Sequence, residues 1–267
     1  MRLAFYTYSY TDRLGMPLEP ALEKIAAAGY DGIDISGTHG PSADPLSVTS
    51  GLRRRTRAAA ARLGLRIEAI ITHANLTDSL FTEAPLDLKG SVDLAVEVGA
   101  PLVVFHMGAA AGGAGETWRR VVEFLRDAAD YAAPRGVRLA VDGVWKDWIV
   151  ESPEDFLRLH DEVGSQALGV NFDPCYLTLL GHNPVVVARL WGGRILHALL
   201  KDHVGSYPEM EHQILGQGKM DYPTVVRVLQ EIGFAEAIAV ETFTNMDFDE
   251  AREVGYATFA SIMGSRA

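Results

Sequence analysis

Ten polar residues follow or close apolar runs in this 267-residue chain: Asp34, His73, His106, Asp142, Asn171, Asp173, Lys201, Asp202, His203 and Glu241. Each can ligate a metal, move a proton or bind a hydroxyl. Three carboxylates stand out, Asp142, Asp173 and Glu241. Carboxylates gathered in one pocket repel unless a proton or a cation lies among them. A hard divalent ion with oxygen ligands, Mg²⁺ or Mn²⁺, is the simplest partner, so these three are the candidate metal ligands. Single members of the set have structural alternatives. An Asp at a strand-to-helix junction can cap the next helix, which leaves Asp202 open between capping and chemistry. A lone His near a core usually does no more than satisfy a hydrogen bond, the reading favoured for His197.

The elements that must position these groups alternate along the whole chain. Strand candidates are 2–8, 31–35, 66–72, 101–106, 137–142, 168–172, 195–200 and 237–241. Most are nearly unbroken runs of Val, Ile, Leu and Ala, as expected of parallel strands covered on both faces. Helical patterns lie between them, at 20–28, 51–63, 86–98, 116–133, 153–163, 184–191, 222–232 and 248–263, many stopped by a glycine. Eight strand–helix repeats predict an α/β fold, one (β/α)₈ TIM barrel spanning 1–267, and in such a barrel the C-terminal strand ends share one site. The connection from Asp202 to Tyr222 is the longest after any strand, a length often used for functional loops.

Composition excludes several classes. The net charge of −11 makes nucleic acid a poor partner, because that affinity rests mainly on cationic contacts to phosphate. The dense basic run, Arg53, Arg54, Arg55 and Arg57, precedes a helical pattern and reads as a solvated face. With one cysteine, Cys175, no intrachain disulfide can form. There is no signal-peptide pattern, and no apolar run reaches the ~18–20 residues of a membrane span. The expectation is a cytoplasmic protein without membrane or nucleic-acid partners, acting on a small molecule, with homo-oligomer formation left open.

Several segments together resemble the xylose isomerase-like superfamily of sugar (phosphate) isomerases and epimerases. They are Gly29-Tyr30-Asp31-Gly32-Ile33-Asp34, Val104-Phe105-His106-Met107-Gly108, Leu168-Gly169-Val170-Asn171-Phe172-Asp173-Pro174, Leu200-Lys201-Asp202 with Val204 to Pro208, Leu215-Gly216-Gln217-Gly218 through Asp221, and Ala239-Val240-Glu241. The resemblance implies a metal site with Glu from strand five, Asp from strand six, His from strand seven and Glu from strand eight. Those positions fall here on Asp142, Asp173, Leu199 and Glu241, and a further family histidine falls on Tyr176. Leucine cannot bind a metal. The expectation is a divalent ion (Mn²⁺ or Mg²⁺) retained on Asp142, Asp173 and Glu241 and weakened by Leu199, with His203 or the deeper His197 as possible replacements.

Three functions follow. The resemblance implies an isomerase or epimerase of a small sugar or cyclitol ketone. Its catalytic pair would be Glu241 and Asp142, exchanging a proton next to a carbonyl. His73, His106, Lys201 and His203 would bind substrate, and Trp145 would stack on it. A lyase or dehydratase would share the proton-abstraction step. A non-catalytic sugar-binding subunit would explain the missing histidine.

Overall fold

The computed structural model describes residues 1–37, 49–77, 88–109, 114–243 and 246–264. The eight apolar runs close into a parallel barrel. Around it stand β1 (Arg2–Tyr6), β2 (Gly32–Ser36), β3 (Arg66–Asn75), β4 (Leu102–His106), β5 (Arg138–Asp142), β6 (Leu168–Phe172), β7 (Ile195–Leu200) and β10 (Ala237–Val240). β10 pairs back onto β1, with Ala4 beside Ala239. The covering helices are α1 (Leu18–Ala27), α2 (Ser50–Arg62), α3 (Leu88–Val98), α4 (Ala114–Ala132), α5 (Pro153–Val163), α7 (Pro184–Trp191), α8 (Tyr222–Glu231) and α9 (Phe248–Gly264).

Strand periodicity explains where the polar ends go. Alternate side chains point to opposite faces. Ala4, Tyr6, Ala69, Ile71, Val104, Ala140, Leu199 and Ala239 pack inside the barrel, while Leu3, Phe5, Ile70, Val103, Val141 and Val240 pack outward against the helices. His106, Asp142, Asn171, Asp173, Lys201 and Glu241 sit at inward positions, one pleat or less beyond the interior plug. The same alternation that buries the apolar interior therefore aims them into the barrel mouth.

Some elements among the described residues had no forecast. A π-helical turn covers Ser9–Arg13, α6 covers Pro174–Leu179, and an antiparallel hairpin of β8 (Asp202–Ser206) and β9 (Glu209–Gln213) occupies the long connection after β7. Asp202 anchors that connection. Its buried carboxylate accepts from the backbone N–H groups of His203 and Met220 on one oxygen, and of Gly216 and Gly218 on the other. A Cβ on Gly218 would collide with that carboxylate, so glycine is required for the close approach. Asp202 does not cap the next helix as its structural reading expected, since Asp221 caps α8; it ties the connection to itself instead. Among the described residues, no helix is long and apolar enough to cross a membrane.

Candidate active site

A pocket of about 190 Å³ opens at the C-terminal ends of the strands. Ile71 and Leu199 form its apolar floor; His106, Asp142, Lys201 and Glu241 supply polar groups, and Arg13 stands at the mouth. Tyr6, Tyr8, Trp145, Tyr176 and Phe243 wall it with rings. The Trp145 ring lies 3.8 Å from that of Tyr176 and stacks on Trp148 at 5.2 Å, between ring centres.

Two charged groups face this space. In the first, the Lys201 ammonium lies 2.8 Å from Asp173 Oδ2 and in contact with Glu241 Oε2. Lys201 is 4% exposed. Its burial opposes the charge, but Asp173 and Glu241 more than compensate and raise its pKa. Burial pushes the Asp173 carboxyl up to about 6 against the opposing pull of Lys201. Asp173 also caps α6, accepting from the Tyr176 N–H at 2.9 Å.

In the second, His106 Nε2 lies 2.9 Å from Asp142 Oδ2 while its Nδ1 meets the Thr72 carbonyl at 2.8 Å. A carbonyl can only accept, so Nδ1 carries a proton, and an imidazolium satisfies both contacts. Burial works against that charge, yet Asp142 raises the His106 pKa. Burial likewise works against the Asp142 carboxylate, but His106, Lys201 and the Asn171 amide hold its pKa well below the ordinary range. Asn171 donates to Asp142 Oδ1 and accepts from His197 Nδ1 at 2.8 Å; His197 Nε2 then lies 3.0 Å from Asp34 Oδ2. Five polar side chains thus run from β2 to β4 through the barrel.

Most of the residues singled out in the sequence meet here: His106, Asp142, Trp145, Lys201 and Glu241 line the pocket, and Asp173 stands against Lys201. His203 does not line it. Its ring is buried, 3% exposed, because the chain leaves the barrel after β7 and turns into the hairpin, ending the inward alternation. His197 belongs to the hydrogen-bonded interior, as the structural reading had it. The side chain of His73 lies outside the described residues. Sequence reasoning missed Tyr6, Tyr8, Arg13 and Phe243, and placed Tyr176 only as the position of a family histidine. Tyr6 and Phe243 carried a usable signal: they share the inward parity of Ala4 and Glu241. Arg13 carried none, since it arrives by an irregular turn.

The donor set does not fit the expected divalent ion. Among the described residues, no three His, Cys, Asp or Glu side chains come together in a way that could hold a metal. Asp173 and Glu241 are joined through an ammonium, Asp142 is paired with His106 and Asn171, and Leu199 packs into the apolar interior. The three carboxylates expected as one metal site, Asp142, Asp173 and Glu241, are thus divided in this structure between Lys201 and His106.

Comparison with known proteins agrees with the barrel. Residues 22–259 match the model of the xylose isomerase-like TIM barrel family. A protein of Methanocaldococcus jannaschii, MJ1311, is 24% identical over 89% of this chain and 83% of its own. The 3-dehydroshikimate dehydratase of Pseudomonas putida is 24% identical over 88% of this chain, which spans 37% of that enzyme. Among solved structures, D-psicose 3-epimerase from Clostridium cellulolyticum H10 superposes with a TM-score of 0.82 at 14% identity, covering 99% of both chains. The IolI protein, solved with a bound zinc atom, superposes at 0.80 and 20% identity, covering 100% of this chain and 99% of its own. A family match over most of the length, on a closed eight-stranded barrel whose polar strand ends share one pocket, makes this chain a member of the xylose isomerase-like TIM barrel family.

Proposed function

We propose that this protein is an isomerase or epimerase of a small sugar or cyclitol ketone, working by proton transfer on the carbon beside a carbonyl. The observation that carries the reading is that Glu241 and the Asp142–His106 pair line one small pocket at the barrel mouth. A substrate held between them has a carboxylate base on one side and a charged acid–base pair on the other. Glu241 would remove the α-proton, leaving an enediolate. A proton returned from the His106–Asp142 side to the same carbon gives the epimer, and to the neighbouring carbon the isomer. Because Asp142 is held ionised, the proton returned there originates on His106, which refines the acid role first expected of Asp142. The ring walls suit the C–H faces of a cyclic polyol. The epimerase among the structural neighbours supports the same class.

The dehydratase relative favours a second reading with the same first step, in which His106 protonates a departing β-hydroxyl. Proton exchange distinguishes the two. Ketoses and inososes incubated in deuterium oxide should gain deuterium at the α carbon and return as epimers or isomers; a dehydratase yields an unsaturated ketone instead. Glu241→Gln keeps the side-chain shape and removes the base, so exchange should fall ~10²–10⁴-fold. Full exchange by that variant would remove Glu241 from the mechanism.

A further inference from the structure

We propose that Lys201 is the electrophile of this site, a covalently attached cation that does the work a divalent ion would otherwise do between Asp173 and Glu241. This inference rests on the enolisation reading above and names the group that stabilises the enediolate. Two buried carboxylates on the strand ends either side of β7 require a counter-charge. Here the chain itself supplies it, with Lys201 Nζ 2.8 Å from Asp173 Oδ2 and in contact with Glu241 Oε2. One pleat below, Leu199 occupies the same face of β7 and packs with Ala4, Ile71 and Ala239. The nearest inward position on that strand therefore offers hydrocarbon and no lone pair.

Donor count leaves Lys201 a free function. An ammonium has three N–H groups. Asp173 and Glu241 pair with it as ions and engage two at most, so at least one remains for an oxygen in the pocket that Lys201 lines. The rings of Tyr176 and Phe243, centred 4.4 and 5.5 Å from Nζ, shelter the charge from water. In such a site a fixed cation acts strongly on charge that develops in the transition state. When Glu241 takes the α-proton, the C–H electron pair forms the new C=C bond. The carbonyl π pair moves onto oxygen, and the resulting negative charge lies against Lys201. Return of a proton to carbon restores the carbonyl, so no oxidant, reductant or metal enters the balance. Schiff-base formation is a different chemistry and requires a free amine lone pair, which an ammonium held by two carboxylates does not present.

Metal binding tests this without a known substrate. Chelator-treated wild-type protein should show no stoichiometric Mn²⁺ binding by calorimetry, and the double variant Leu199→His/Lys201→Ala, which removes the cation and adds a nitrogen ligand, should gain it. Stoichiometric Mn²⁺ binding to wild type overturns the proposal. In deuterium exchange, chelator should leave the wild-type rate unchanged and Lys201→Met should lower it ~10²–10³-fold, with Lys201→Arg recovering part of the rate. A rate abolished by chelator and restored by Mn²⁺, or one undiminished in a folded Lys201→Met, overturns it as well. Absence of exchange on every ketone tried counts against the enolisation reading alone, and the Mn²⁺ titration still decides the role of Lys201.

Discussion

The polar side chains that cross the barrel from Asp34 through His197 and Asn171 to Asp142 are almost fully buried, with His106 part-buried at the pocket end, so their pairing matters more than their number. Asn171 is the hinge of the series: its amide nitrogen donates to Asp142 and its oxygen accepts from His197. An amide is the side chain that can serve a carboxylate on one side and an N–H on the other. Asn171→Leu, similar in size, leaves Asp142 and His197 each short of a partner. Buried polar groups left unpaired cost ~1–3 kcal/mol each, so urea denaturation should show a loss of at least about that size; a loss under ~0.5 kcal/mol would mean that water replaces the amide. The identities of these residues were legible in the sequence, because an abrupt switch from Val and Ala to Asp, Asn or His at a strand end is visible without coordinates. Their pairing was not. Asp142, Asp173 and Glu241 read as one anionic cluster, whereas the folded chain divides them between two cations, His106 and Lys201. That division depends on the reach of a four-carbon side chain, which spacing does not encode.

Between strand and helix the chain inserts pieces that periodicity cannot announce. The β8–β9 hairpin has short strands, and its residues β8 Asp202, His203 and Val204 follow directly on the run of β7, so the pattern gave length but no form. The hairpin reaches back over the site through His212 on β9, whose ring stacks on Phe243 at 3.6 Å with the planes 4° apart. Burial and the nearby Lys201 charge lower the His212 pKa to about 4, against an ordinary 6.5. Between those values the unfolded chain binds a proton that the folded chain excludes, so stability rises with pH across the window. The contribution of neutral His212 is present above about pH 6.5 and is lost as pH falls toward 4. His212→Phe keeps a ring against Phe243 and cannot titrate. Urea unfolding of the two proteins at a series of pH values should show wild type losing stability relative to the variant from pH 6.5 downward. A parallel pair of curves would mean that His212 titrates normally in the folded protein.

Along the barrel axis, polar and apolar layers alternate, and the layers at the two ends carry different burdens. At the N-terminal end Glu68 is 3% exposed; it accepts from Arg2 Nε at 2.7 Å and Nη2 at 3.0 Å, and from Arg66 Nε at 3.2 Å. It sits where the β2–β3 register slips, Ile33 facing Ile67 and Asp34 facing Ala69. An extra residue of this kind is a β-bulge, which bends the strand locally, and here it turns a carboxylate onto the start of β1. That pairing closes the end of the barrel away from the chemistry. In a TIM barrel the C-terminal face hosts the reaction and the opposite face serves stability, so the two ends should respond oppositely to loss of one carboxylate. Glu68→Gln removes the charge that two guanidinium groups face. Breaking a buried pair typically costs ~3–5 kcal/mol, but both arginines are partly exposed and can turn to water, which reduces the expectation to ~1–3 kcal/mol. Thermal unfolding should shift down accordingly, while deuterium exchange per folded molecule stays at the wild-type rate. Glu241→Gln should give the reverse, with exchange largely lost and the melting transition far less affected. Equal losses of exchange in both variants would place the reaction somewhere other than the mouth of the barrel.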